Sequence, residues 1–260
     1  MKLLTIKNLN VNDDTGKSLI QNINLTIYKQ AMNIIIGESG AGKSLTAKAL
    51  LNYLPPHLSM TYEKYEIDDR NSQDIKQLLG RHIGYISQNY AQSFNEYTSL
   101  EKQLIAIYCN HFDVTKMEAL DKVKTALTWV NLNDTSIIKK YSFQLSGGQL
   151  ERVYIASVLM LNPELIIADE PVASLDVVNG HQIMKLLQHI VKDHHNTVLL
   201  ITHNMNHVLN YGDYFNVMKN GSLIETGEIN NLFNHHIVEN YTKQLLCYRN
   251  KLQKGVHQQS

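Results

Sequence analysis

The stretch Gly37-Glu38-Ser39-Gly40-Ala41-Gly42-Lys43-Ser44 constrains what this chain can fold into more than any other. It follows the apolar run Ile34-Ile35-Ile36 and leads into a helical pattern with Ala47, Leu50, Leu51 and Leu54 on one face. Strand, glycine loop and helix in that order form a phosphate cradle. Glycine lets the backbone curl closely round an anion, so that successive N–H groups point inward. The helix that follows aims its positive dipole end at the same anion. In such a loop Lys43 reaches the β- and γ-phosphates, and the Ser44 hydroxyl is suited to ligating Mg²⁺. The stretch predicts a nucleoside triphosphate and leaves open what its energy is used for.

The rest of the chain reads as mixed α/β with strands before the loop. Residues 2–36 carry strand patterns: Ile23, Leu25 and Ile27 alternate with Asn24, Thr26 and Tyr28, and Asn12 to Lys17 has turn chemistry. An antiparallel section therefore precedes the loop, and Pro55-Pro56 should close the helix after it. Ile83 to Ser87 is strand-like and runs into Gln88. From Ser99 to Val130 the pattern turns helical, with Leu100, Leu104, Ile107 and Tyr108 in one stripe and Leu120, Val123, Leu127 and Val130 in another. Both stripes read as helix core and predict a helical lobe inserted at about 89–160. Leu165 to Ala168 and Val198 to Ile201 are apolar runs of strands buried on both faces, joined by a helix with Ile183, Leu186, Leu187 and Ile190 inward. A hairpin turning at Asn220-Gly221 follows. A helix at about 236–252 has Val238, Tyr241, Leu245, Tyr248 and Leu252 on one side, and 253–260 reads as a frayed tail. One domain over 1–250 is the expectation.

Several function classes drop out. Lysine plus arginine equals aspartate plus glutamate at 24 each, so no basic field argues for nucleic acid. The two cysteines, Cys109 and Cys247, are far apart and lack metal-ligand spacing, which predicts a reduced, cytoplasmic protein. The pairs His194-His195 and His235-His236 lack the i, i+4 spacing of a helical metal site. Met1 to Lys7 is too short and interrupted for a signal peptide, and no apolar run is long enough to span a bilayer. Work at a membrane would need another subunit.

Asp169 and Glu170 end a buried strand, where open α/β sheets place ligands. Asp169 suits holding Mg²⁺ through its water shell, and Glu170 suits orienting or deprotonating an attacking water. His203 ends the next strand and Gln88 an earlier one. An imidazole there can hydrogen-bond the γ-phosphate, and an amide can bridge Mg²⁺ and water. Leu145-Ser146-Gly147-Gly148-Gln149 opens a helix and forms a second anion-seeking N-terminus without a lysine loop of its own. That predicts service to a nucleotide bound by another copy or a partner.

With these residues in order, the sequence resembles the ATP-binding cassette family of transport ATPases over nearly its whole length. Gly37 to Ser44 matches the Walker A motif, Gln88 the Q-loop, and Leu145 to Gln149 the LSGGQ signature. Leu165 to Asp169 matches Walker B, Glu170 the catalytic glutamate, Ser174-Leu175-Asp176 the D-loop and His203 the switch histidine. The resemblance implies a P-loop cassette with a mixed sheet core, an N-terminal antiparallel β-subdomain and an inserted helical subdomain. It implies ATP and Mg²⁺, a head-to-tail pair of cassettes, two membrane permease subunits and an extracellular substrate-binding lipoprotein, with the cassette peripheral on the cytoplasmic face. Ser146, Gly147, Gly148 and Gln149 would touch the partner's nucleotide. Asn240 to Leu246 resembles the tail motif of the peptide and nickel importers, and Tyr141 to Arg152 looks most like the nickel-importing members. A di- or oligopeptide importer, and a soluble non-transport ATPase, are the alternatives. Two departures stand out. Asp13 occupies the place of the aromatic residue that stacks on adenine, with Tyr28 on a different strand. Glu151 replaces the usual amide or basic residue after the signature and is expected to face solvent or the neighbouring lobe.

Overall fold

The first strands form where the alternation lies. In the computed structural model, which describes residues 1–68, 70–71, 78–233 and 237–246, β1 (Lys2–Asp13) pairs antiparallel with β2 (Ser18–Tyr28). Ile20, Ile23, Leu25 and Ile27 of β2 are buried, with Gln21, Asn22 and Asn24 outward. The ladder shifts register between Ile6 and Leu9 and again between Leu9 and Val11. Asn8 and Asn22 sit there at φ 52° and 49°, a backbone that asparagine tolerates better than most residues. The side chains of Asn24 and Asn10 accept their displaced N–H groups at 3.0 Å each.

β3 (Met32–Ile36) is wholly buried and feeds the glycine loop, after which α1 runs Lys43–Leu50. The helix stops before Pro55 rather than at it: Leu51 is its C-cap and Asn52 turns to φ 50°. Leu54 therefore lies beyond the helical face the sequence predicted. Three further strands, β4 (Leu58–Thr61), β5 (Lys64–Ile67) and β6 (Arg70–Asn71), have no counterpart in the sequence reading. They are short and of mixed sequence, with Lys64 and Glu66 in β5; β4 and β5 form on β1, and β6 forms on β5. The antiparallel sheet runs β2-β1-β5-β6, with β4 also on β1.

The chain continues through β7 (Ile83–Ile86), α2 (Leu100–His111), α3 (Lys116–Trp129), α4 (Gly147–Leu159), β8 (Leu165–Asp169) and α5 (Val177–His194). Then come β9 (Thr197–Thr202), α6 (Met205–Tyr211), β10 (Tyr214–Lys219), β11 (Ser222–Glu228) and α7 (Ile229–Phe233), with residues 240–246 helical again. Contacts divide the chain into Met1–Lys76 with Thr197–Ser260, and Gln77–Asn196.

In the first unit, β10, β3 and β9 are parallel neighbours and β11 closes the edge antiparallel to β10. Ile34, Ile35, Leu199, Leu200 and Ile201 are fully buried, as strands covered on both faces require. Each such side chain contributes about 1.5–3 kcal/mol by leaving water. In the second unit β7 and β8 are parallel, and the helical segment is capped by its own sequence. Thr115 and Glu118 form a capping box at the start of α3, whose buried face is Ala119, Val123, Ala126 and Leu127. In the C-terminal stretch Tyr241 is buried but Val238 is 81% exposed, so the predicted stripe does not hold. Tyr248, Leu252, Cys247, His235, His236 and the 253–260 tail lie outside the described residues.

The β10–β11 turn matters most for the loop. Asn220 and Gly221 take φ 48° and 79°, a left-handed pair that matches the twist of the hairpin. Gly221 N–H donates to Ala41 O at 2.9 Å, and its carbonyl accepts Gln21 N–H at 2.9 Å. A Cβ on Gly221 would lie 2.4 Å from Leu19 O. Gly221→Ala should destabilise the protein by about 2 kcal/mol or more, through positive φ and the backbone clash together. A urea midpoint indistinguishable from wild type would contradict this buttress.

Candidate functional site

The first unit holds the glycine loop, Gly37 to Ser44. Gly40 and Gly42 take φ 83° and 104°, so the loop curls in a way that side chains with a Cβ resist. Glycine is needed at Gly37 for space as well, since a Cβ there would lie 2.2 Å from Met218 O. Lys43 is buried, and its Nζ donates to the carbonyls of Gly37 and Glu38 at 2.9 Å each. Ala41 N–H donates to Glu38 O at 3.2 Å, and Glu38 N–H donates to the phenol oxygen of Tyr241 at 3.1 Å. No side chain caps α1 at Gly42, which leaves the first turn to an anion. Curl, buried cation and uncapped helix start all fit a triphosphate.

His203 follows β9 and is exposed. The half-buried His207 is its electrostatic neighbour: burial first, and the His203 charge second, hold the His207 pKa below its ordinary value. Asp13 is a turn former. Its carboxylate accepts the N–H groups of Thr15 and Lys17 and the Thr15 hydroxyl, and those bonds hold its pKa down. Tyr28 stacks on Tyr214 with centroids 4.1 Å apart, so it is engaged away from Asp13.

The second unit supplies the acids and the signature helix. Asp169 ends β8 buried, and accepts a hydrogen bond from Tyr85 Oη at 3.2 Å. Its own burial first, and the Asp169 charge second, push the Tyr85 phenol well above its usual range. Glu170 is half-buried at φ 50°, an uncommon backbone for a glutamate, and its carbonyl accepts Ala173 N–H at 3.1 Å. Such backbones concentrate at sites where a side chain must be aimed. Gln88 is exposed, two residues past β7. The residue before it is held by Tyr154 of α4, whose Oη accepts Ser87 N–H at 3.2 Å and donates to Tyr85 O at 3.1 Å. Two tyrosines thus tie Asp169, the start of the Gln88 loop and the signature helix together. The sequence reading missed them because neither lies in a motif.

Ser146 caps α4 in a box with Gln149: Gln149 N–H donates to Ser146 Oγ at 3.3 Å and Ser146 N–H to Gln149 Oε1 at 3.1 Å. Gly147 and Gly148 form the first turn. Asp176 caps α5, accepting Val178 and Asn179 N–H at 3.0 Å, and the Asn179 bonds hold its pKa low. Taken singly, the Ser44 hydroxyl, the Gln88 amide oxygen and the Asp169 carboxylate are each the oxygen type that a hard divalent cation takes. Among the described residues no cluster of three or more His, Cys, Asp or Glu could hold a metal ion unaided. The donor types fit Mg²⁺.

A family model described as ABC transporter matches residues 20–173. The chain belongs to the ABC transporter family. The Staphylococcus aureus (strain USA300) protein named nickel import system ATP-binding protein NikD is 58% identical over 257 residues, covering 99% of this chain and all of that one. Among solved structures, cbiO1 of Clostridium perfringens, described as part of the ABC transporter complex cbiONQ, is 28% identical with a TM-score of 0.76, covering 90% of this chain and 91% of its own. MJ0796, a bacterial ABC transporter cassette solved as a dimer, has a TM-score of 0.76 at 24% identity, covering 87% and 99%, which bears on the fold alone. This cassette is an ABC transporter ATPase whose nucleotide is ATP. No helix among the described residues is long and apolar enough to cross a membrane.

The solvent-facing half of the expectation for Glu151 fails. Glu151 does not face solvent: it is 3% exposed, and its Oε2 is buried with no hydrogen-bond partner. It belongs to α4, where Leu150, Val153 and Ile155 are buried too. Burial pushes its carboxyl up to about 7. The folded state therefore holds a proton that the unfolded state releases, and this group's contribution to stability falls between pH 4.5 and 7 and stays low above that window. Glu151→Gln should raise the melting temperature at pH 8 by about 2–4 °C, and the gain should vanish near pH 5. Scanning calorimetry at the two pH values checks it, and an equal effect at both would refute the assignment.

Proposed function

We propose that this ABC ATPase energises the import of nickel ions across the cell membrane, as the ATP-hydrolysing subunit of a transport complex. The likeness to NikD over 99% of the chain carries the choice of nickel over peptide. The phosphate loop carries the chemistry. In the proposed working unit residues 1–250 act as one nucleotide-binding domain, with the segment at about 89–160 as its helical subdomain, and residues 236–252 as its terminal helix. The cassette sits peripherally on the cytoplasmic face. It pairs head to tail with a second cassette and docks on two permeases that receive the substrate from an extracellular lipoprotein.

Gly37 to Ser44 bind the triphosphate, with Lys43 moving from the Gly37 and Glu38 carbonyls to the β- and γ-phosphates. Mg²⁺, held by Ser44, Gln88 and Asp169, would neutralise charge on the phosphate oxygens. Water attacks the γ-phosphorus in line, and the bond to the leaving β-phosphate oxygen breaks. Glu170 orients that water and takes its proton, and His203 hydrogen-bonds the γ-phosphate. Ser146, Gly147, Gly148 and Gln149 contact the nucleotide on the partner cassette, and Asp176 lies at the same junction. Most of the rate gain is positional and electrostatic. Closing on ATP and opening after hydrolysis would switch the permeases between inward and outward states.

The test is uptake of radioactive nickel in a strain lacking this gene. The wild-type gene should restore uptake, while Lys43→Ala and Glu170→Gln should not. Restored peptide uptake without nickel uptake would favour the peptide reading. In the purified complex, Glu170→Gln should keep ATP binding and lose about 10²–10⁴-fold in turnover, whereas Lys43→Ala should weaken binding itself. Normal turnover in Glu170→Gln would remove that residue from the mechanism.

A further inference from the structure

The peptide plane between Gly37 and Glu38 is gripped at both ends. Its carbonyl, Gly37 O, accepts from Lys43 Nζ at 2.9 Å, and its N–H, on Glu38, donates to Tyr241 Oη at 3.1 Å. Because the peptide unit is rigid, turning one end turns the other. The Glu38 carbonyl on the next plane is held as well, by Ala41 N–H at 3.2 Å and Lys43 Nζ at 2.9 Å. Every one of these partners except Tyr241 lies in the loop itself. Tyr241 comes from 203 residues further along the chain.

Its placement is specified, not incidental. Tyr241 is buried at 7% exposure, and Lys219 Nζ sits 4.6 Å from the centre of its ring. Lys219 ends β10, the strand that leads to Gly221 and so to the Ala41 carbonyl. Three residues before the tyrosine, Val238 N–H donates to Glu225 Oε1 of β11 at 2.8 Å. Thr242, the next residue, is fully buried. The C-terminal segment is thus pinned on the β10–β11 hairpin, and its phenol reaches the first peptide of the loop.

We propose that Tyr241 is a positioning residue for ATP: by holding the Glu38 N–H it fixes the plane on which Lys43 rests, and so sets the affinity of the loop for the triphosphate. The role rests on the ATPase reading above. Tyr241 does not touch the reacting atoms. It acts through Glu38, and it makes the C-terminal segment part of the nucleotide site.

Tyr241→Phe keeps the ring and its contact with Lys219 and removes only the hydrogen bond. In the assembled transporter it should raise the KM for ATP by about three- to tenfold, the size of one lost hydrogen bond, with a smaller fall in kcat. Hydrogen exchange at the Glu38 amide, read on peptides spanning residues 37–41 in the nucleotide-free protein, should quicken in the variant. Tyr241→Ala, which also removes the ring, should raise KM at least as far. A role in packing alone would lower the melting temperature of the nucleotide-free protein and leave the KM of Tyr241→Phe at the wild-type value, and that result overturns the proposal. Unchanged exchange at Glu38 overturns it too. Wild-type transporter that neither binds nor hydrolyses ATP would instead overturn the ATPase reading, while the exchange comparison still reports on the hydrogen bond.

Discussion

A phosphate loop has to stay curled before its ligand arrives, with carbonyls crowded and glycines at positive φ. In this protein the curl is held by hydrogen bonds from outside as well as within. Gly221 N–H grips Ala41 O, Tyr241 grips Glu38 N–H, and Lys43 Nζ bridges the Gly37 and Glu38 carbonyls. The strand arrangement serves the same end. β3 delivers the loop from a buried parallel pair with β10, and the hairpin that begins in β10 returns to brace it. Preorganisation of this kind means that ATP binding does not have to supply the ordering.

In the proposed mechanism Lys43 is the pivot between the resting and working states. Without nucleotide a buried ammonium needs partners, and two loop carbonyls supply them. A triphosphate offers stronger, charge-assisted partners, so the lysine can transfer without ever being left buried and bare. The second unit solves a related problem at Asp169, where the Tyr85 hydroxyl supports a buried carboxylate. Glu151 is the exception. Its Oε2 has no partner, and its carboxyl responds by keeping its proton to higher pH.

Local chemistry was legible in the sequence to the extent that it acted locally. The loop, the helix start at Leu145 to Gln149, the Asn220-Gly221 turn and the apolar runs of β8 and β9 each need only neighbours within a few residues. The strands β4, β5 and β6 were not legible, because their short, mixed sequences become strands only by pairing, β4 and β5 on β1 and β6 on β5. The end of α1 was misplaced because proline marks where a helix cannot continue, not where it chooses to stop.

The residue order was enough to predict a nucleoside triphosphate, to locate the loop, and to nominate the acids, amide and imidazole at strand ends as its companions. Those features depend on residue type and short spacing, which a linear reading contains. Tertiary structure alone decided that Glu151 is buried, that Tyr154 joins the signature helix to the strand before Gln88, and that Tyr241 holds the loop. Burial and hydrogen bonding between distant residues follow from how strands and helices pack, and no spacing in the chain encodes a contact made across 203 residues.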